Sequence, residues 1–197
     1  MASISALQAL KTLKKSNLKL VTPVDISKLF GILSENTRHK FIQRLEKYDI
    51  LSRITKGKYL LSDNILNEYE IANLLVNPSY ISFESALSFY GILPQFPYTL
   101  SSATPRRSTK ITYQEKEYEF THISPELFWG FEKKDDFLIA SPEKALIDAI
   151  YLYSKGLRKI DLDELTLTII DKAKFDQFAS LIKYRPFQKK LNRLKFN

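Results

Sequence analysis

The chain has 197 residues, 44% of them hydrophobic, with 13 Phe and 11 Tyr against 5 Gly, a composition that can build cores and excludes a low-complexity or disordered chain. It has no cysteine, which excludes disulfides, thiolate zinc sites and cysteine nucleophiles, and no apolar run approaches the roughly 18 residues of a membrane span. All of the formal charge of +8 lies in residues 1–62, which hold 12 Lys or Arg against 4 Asp or Glu, whereas residues 63–197 hold 18 of each.

From the start of the chain, Ile4, Leu7, Leu10 and Leu13 recur at helical spacing, with Lys11, Lys14 and Lys15 on the other faces. The opening residues lack the basic segment and long apolar run of a signal peptide, so a cytoplasmic protein without membrane partners is expected. After a polar break at Ser16-Asn17, Thr22-Pro23 reads as an N-cap with proline at the first helical position. It opens a short helix through Ile26, Leu29 and Phe30 that ends at Gly31. Ser34 caps the next helix, Glu35 to about Tyr48, with Glu35 near its positive end. Two short alternating strands follow, Ile50–Ile54 and Tyr59–Leu61, around Thr55-Lys56-Gly57-Lys58. A short helix, a glycine turn, a longer helix and a basic hairpin, in that order, predict a winged helix-turn-helix over residues 1–62.

A helical wheel on residues 35–48 puts Phe41, Ile42 and Leu45 in one stripe, with Arg38 at its side. Asn36, Lys40, Gln43 and Lys47 lie opposite, flanked by His39 and Arg44. Asn and Gln can read adenine bidentately, Arg and Lys can read guanine, and all can hold phosphates. Each cation that neutralises a phosphate releases a counterion, so a charge confined to one segment points to double-stranded DNA. The expected DNA-binding residues are Asn36, His39, Lys40, Gln43, Arg44 and Lys47 on the helix, with Lys56 and Lys58 on the wing.

Beyond residue 62, residues 63–77 read as an amphipathic connector helix ended by Pro78, and residues 78–197 as a second domain. Ile81–Ile92 reads as a helix closed by Gly91. Strands are expected at Tyr98–Ala103, Lys110–Tyr113, Glu117–Ile123 and Phe137–Ala140, with a hairpin over Tyr113–Tyr118. Ser141-Pro142 starts a helix running through Tyr153, and Asp161 to Phe196 is helical in pattern. Strands and helices without regular alternation predict an α+β fold, with a mixed α/β C-terminal domain.

No catalytic constellation, metal site or cofactor loop emerges. His39 and His122 have no ligand partners at metal spacing, and there is no Gly-rich phosphate loop or Gly-x-Ser-x-Gly elbow. Arg106-Arg107 reads as a solvated loop. Glu143 and Asp148, five apart, do not share a helix face, and capping suffices to explain Ser141–Lys144. The basic end, residues 172–197, carries 8 Lys or Arg against one acid, whereas residues 63–171 carry 10 against 17. It reads as an amphipathic helix packed on the acidic middle, with a second nucleic-acid contact as the alternative.

Four stretches resemble a known family: Leu51-Ser52-Arg53-Ile54-Thr55-Lys56-Gly57-Lys58-Tyr59; Tyr80-Ile81-Ser82-Phe83-Glu84-Ser85-Ala86-Leu87 with Tyr90-Gly91-Ile92; Phe128-Trp129-Gly130; and Ala140-Ser141-Pro142-Glu143-Lys144-Ala145-Leu146-Ile147-Asp148. In order and spacing, over roughly residues 5–165, the chain resembles the AbiEi family of bacterial antitoxins and transcriptional regulators, the antitoxin half of type IV (abortive infection) toxin–antitoxin pairs. The resemblance implies an N-terminal winged helix that represses its own operon at inverted repeats. It also implies a C-terminal domain that counteracts a nucleotidyltransferase-like toxin without requiring a stable antitoxin–toxin complex; the missing nucleophile and metal set make a non-enzymatic protein the expectation. The alternatives are a stand-alone transcriptional regulator, or an enzyme whose C-terminal domain modifies the toxin or its RNA target.

Overall fold

The computed structural model describes residues 4–194 and 196, and the chain divides into two units, Met1–Leu66 and Asn67–Asn197. Both mix helices with strands, so the fold is α+β.

The first unit holds α1 (Ala6–Lys15), α2 (Pro23–Phe30), α3 (Glu35–Lys47) and the hairpin β1 (Leu51–Thr55) and β2 (Lys58–Leu61). Each helix starts where a short polar side chain satisfies a free backbone N–H. Ser5 and Gln8 form a reciprocal cap on α1, and Thr22 and Asp25 do so on α2, where Pro23 takes the first helical position. Ser34 Oγ accepts from the Thr37 N–H at the start of α3. Gly31 leaves α2 at φ 65°, a left-handed turn that favours glycine. Ala9, Leu13, Val21, Ile26, Phe41, Ile42 and Leu45 meet Leu51, Tyr59 and Leu61 of the hairpin in one core. Paired Val21–Tyr59 backbone bonds of 2.8 and 2.9 Å bind the α1–α2 link to the hairpin.

The second unit is built on a six-stranded mixed sheet. Its elements are α4 (Glu68–Leu75), β3 (Tyr80–Ile81), α5 (Phe83–Phe89), β4 (Leu100–Thr104), β5 (Thr109–Tyr113), β6 (Lys116–His122), β7 (Phe131–Lys134), β8 (Phe137–Ala140), α6 (Pro142–Ser154), α7 (Lys172–Ser180) and α8 (Arg185–Leu191). The strand order is β5-β6-β4-β3-β8-β7, with β4–β6 and β3–β8 parallel and the other neighbours antiparallel. Of the expected helix over 63–77, Glu68–Leu75 is helical, and it packs on β8, β3 and β4 within this unit.

Two expectations are corrected and one strand is added. Ile81 does not begin a helix: it lies in the short central strand β3, opposite Ser102 of β4 and Ile139 of β8, and α5 starts only at Phe83. Residues 131–134 form a strand that periodicity missed, because Glu132, Lys133 and Lys134 occupy an exposed sheet edge where no alternation is required. Residues 161–171 are not helical; this β-branched run is tied to Ile92 through the Thr166 N–H, and helix returns only in α7 and α8.

Candidate nucleic-acid interface

In the first unit, burial of Phe41, Ile42 and Leu45 turns the opposite face of α3 outward. Asn36, His39, Lys40, Gln43 and Lys47 are all exposed on it. Gln43 Nε2 lies 3.0 Å from His39 Nε2, one turn away, so these two side chains meet on the surface. Arg44 is placed differently. Its Nη2 donates to the Ile4 carbonyl at 2.7 Å and its guanidinium lies 5.1 Å from the centre of the Phe41 ring, fastening α3 to the start of α1. Arg38 Nη1 donates to Ser27 Oγ at 2.9 Å and braces α3 against α2. At the hairpin turn, Gly57 adopts φ 74°, Lys56 is exposed and Lys58 half-buried. One face of α3 thus presents five exposed polar side chains, and the hairpin turn presents Lys56.

The second unit contains a buried charged cluster that the sequence reading assigned to capping alone. Ser141 does cap α6, but Lys144 and Asp148 form an ion pair one turn apart and are 0% and 3% exposed. Asp148 Oδ2 also accepts from Tyr80 Oη at 2.9 Å and Ser82 Oγ at 2.8 Å, and Lys144 Nζ donates to Tyr80 Oη at 3.0 Å. The lysine ammonium lies 4.7 Å from the ring centre of Trp129. A charge removed from water is tolerated only when its lone pairs and protons are matched in this way. Burial, then the Asp148 charge and its hydrogen bond, push the Tyr80 hydroxyl far above its ordinary range, so it stays a donor. The cue was present in sequence, a Lys and an Asp at i,i+4 on either side of the apolar Ala145-Leu146-Ile147; its Tyr80 and Ser82 partners were not.

Two further sets of carboxylate contacts hold this unit together, one at buried Glu143 and one at half-buried Glu84 and Glu119. Glu143 Oε2 accepts from Ser141 Oγ at 2.9 Å and Lys174 Nζ at 2.8 Å, and Oε1 accepts from the Asp171 N–H at 3.3 Å, which docks α7 on the start of α6. Burial raises the Glu143 pKa, but the bonds from Lys174, the backbone and Ser141 outweigh it and hold the carboxyl below the usual range. Arg158 binds Glu84, Glu119 (2.7 Å) and Thr121 (3.0 Å) and lies 4.4 Å from the ring centre of Phe83. His122 Nδ1 lies 3.0 Å from the Arg106 carbonyl, and Arg106 and Arg107 are exposed between β4 and β5.

Among the described residues no group of three or more His, Cys, Asp or Glu side chains is placed to share a metal ion. No helix of the described residues is long and apolar enough to cross a membrane. Compared with family models and with curated proteins, the chain matches none.

Proposed function

We propose that the protein is a sequence-specific DNA-binding regulator that represses transcription of its own operon, its first unit acting as a winged helix-turn-helix. The observation that carries this reading is the exposed face of α3, with Asn36, His39, Lys40, Gln43 and Lys47 free of the core, in a unit that also presents Lys56 and Lys58 on a hairpin turn. α3 is the recognition helix in this reading, Asn36 and Gln43 reading base edges while the lysines hold phosphates. Arg44, turned toward Ile4 and Phe41, positions the helix instead of touching DNA.

Binding to the duplex upstream of its own gene, measured by fluorescence anisotropy, tests the reading. About six phosphate contacts would lower affinity by roughly three orders of magnitude between about 50 and 200 mM salt, with a scrambled duplex bound more weakly throughout. A flat salt titration, or equal affinity for the two duplexes, overturns it.

The resemblance to AbiEi antitoxins adds a second role to the same proposal, in which the unit from Asn67 onward counteracts a nucleotidyltransferase-like toxin without covalent chemistry. The test is rescue of growth from a toxin encoded beside this gene. The full-length chain carrying Asn36→Ala, Lys40→Ala and Gln43→Ala should rescue as well as the parent. Failure of the parent itself to rescue leaves the regulator without the antitoxin.

A further inference from the structure

The basic end of the chain is not neutralised by the acidic residues before it. Lys172 and Lys174 are paired, with Asp176 at 2.7 Å and Glu143 at 2.8 Å. Lys183, Arg185, Lys189, Lys190 and Arg193 enter no ion pair among the described residues. α8 is instead fastened by its apolar side, where Phe187 is fully buried with its ring centre 6.3 Å from that of Tyr151 in α6. No carboxylate of the described residues therefore neutralises these five cations, four of them exposed and Lys190 half-buried.

Tyrosine rings lie among these cations. Lys190 Nζ is 4.2 Å from the ring centre of Tyr153, and Lys155 Nζ is 4.5 Å from that of Tyr151 and 5.7 Å from that of Tyr184. Tyr153, Lys159, Ile160, Leu162 and Arg193 line a cleft of about 540 Å³ together with the carboxyl-bearing Asp161 and Asp163. Cations that follow a phosphate backbone, interleaved with rings that contact bases, are the means by which single strands are held. A duplex offers the same phosphates but keeps its bases stacked inside, so it has a use for the cations and none for the ring.

We propose that the end of α6, residues 159–163 and α8 form a binding site for single-stranded nucleic acid, with one nucleotide in the Tyr153 cleft and the strand running along the free lysines and arginines. The site lies wholly in the second unit and stands whether or not the first unit binds DNA.

The test uses the full chain with Asn36→Ala, Lys40→Ala and Lys47→Ala to silence the α3 face. Labelled oligo-uridylate and oligo-thymidylate of about 12 nucleotides, within usual single-strand site sizes, are titrated beside a random duplex of about 20 base pairs. Tyr153→Leu should weaken binding of the single strands by about 5- to 100-fold, Tyr153→Phe should keep it, and neither should change duplex binding. Lys159→Gln with Arg193→Gln, both exposed, should weaken the single strands and reduce the salt slope by about 1.4. The two oligonucleotides distinguish RNA from DNA, and tight binding of either supports the site. Unchanged single-strand affinity in Tyr153→Leu overturns it, as does a duplex that binds more tightly than both oligonucleotides.

Discussion

A Cβ on Gly130 would stand 3.0 Å from Cγ of Lys144, with Cδ and Cβ of the same side chain at 3.1 and 3.2 Å. The missing side chain leaves the space through which the buried lysine stem passes, and Gly130 itself adopts φ 73°. Gly130→Ala therefore meets two penalties, about 1–2 kcal/mol for the left-handed backbone and about 1–3 kcal/mol for overpacking. Gly91→Ala meets only the first, because φ is 70° there but nothing lies within 4 Å. Urea unfolding should show the larger loss for Gly130→Ala; equal losses would remove Lys144 from the explanation.

The Lys144–Asp148 pair should behave as a unit. Lys144→Met leaves a buried carboxylate with only Tyr80 and Ser82 as donors, and Asp148→Asn leaves a buried ammonium without its counter-charge. Each single change should cost about 3–5 kcal/mol, while the double variant, which buries no charge at this position, should cost less than the sum. Strict additivity in a double-mutant cycle would show that the two charges do not stabilise one another.

Acid should release α7 before it unfolds the remainder of the second unit. The folded pKa of Glu143 lies below its unfolded value, so its stabilisation is complete above the ordinary glutamate range and declines as pH falls through the folded value. Lys174 loses its buried partner over the same interval. The protection of residues 172–180 against hydrogen exchange, relative to free amides at the same pH, should fall as pH drops below about 4.3, the ordinary glutamate value, and Glu143→Gln should flatten that dependence. Exchange rates in this segment that follow only the intrinsic pH dependence of free amides would contradict it.

Reading and anchoring should separate within the first unit. Asn36→Ala or Gln43→Ala should cost about 1–3 kcal/mol on the preferred duplex and narrow its advantage over others, whereas Lys56→Ala should weaken all duplexes alike. Arg44→Ala should instead lower the unfolding midpoint, because its guanidinium holds Ile4 and covers Phe41. A change of base preference in Lys56→Ala, with none in the α3 variants, would reverse these roles.

What residue order alone determined lies within a few positions along the chain. Thr22-Pro23 and Ser34 announce their helices because a cap bond spans three residues, and Phe41, Ile42 and Leu45 declare the buried face of α3 by their spacing. The hairpin around Gly57 was equally legible, since its two short strands stand directly on either side of their glycine turn. Tertiary structure decided the elements whose cause is distant. Two residues of β3 have no period to read, and only pairing with Ser102 and Ile139 makes Ile81 a strand residue. Arg44 belongs by its wheel position to the flank of the polar face, yet a carbonyl 40 residues away holds it. Lys144 is buried only because Tyr80, 64 positions earlier, is brought beside it and Gly130 leaves room for its stem. Burying a charge needs partners from several segments at once, and no local pattern records which segments the fold will bring together.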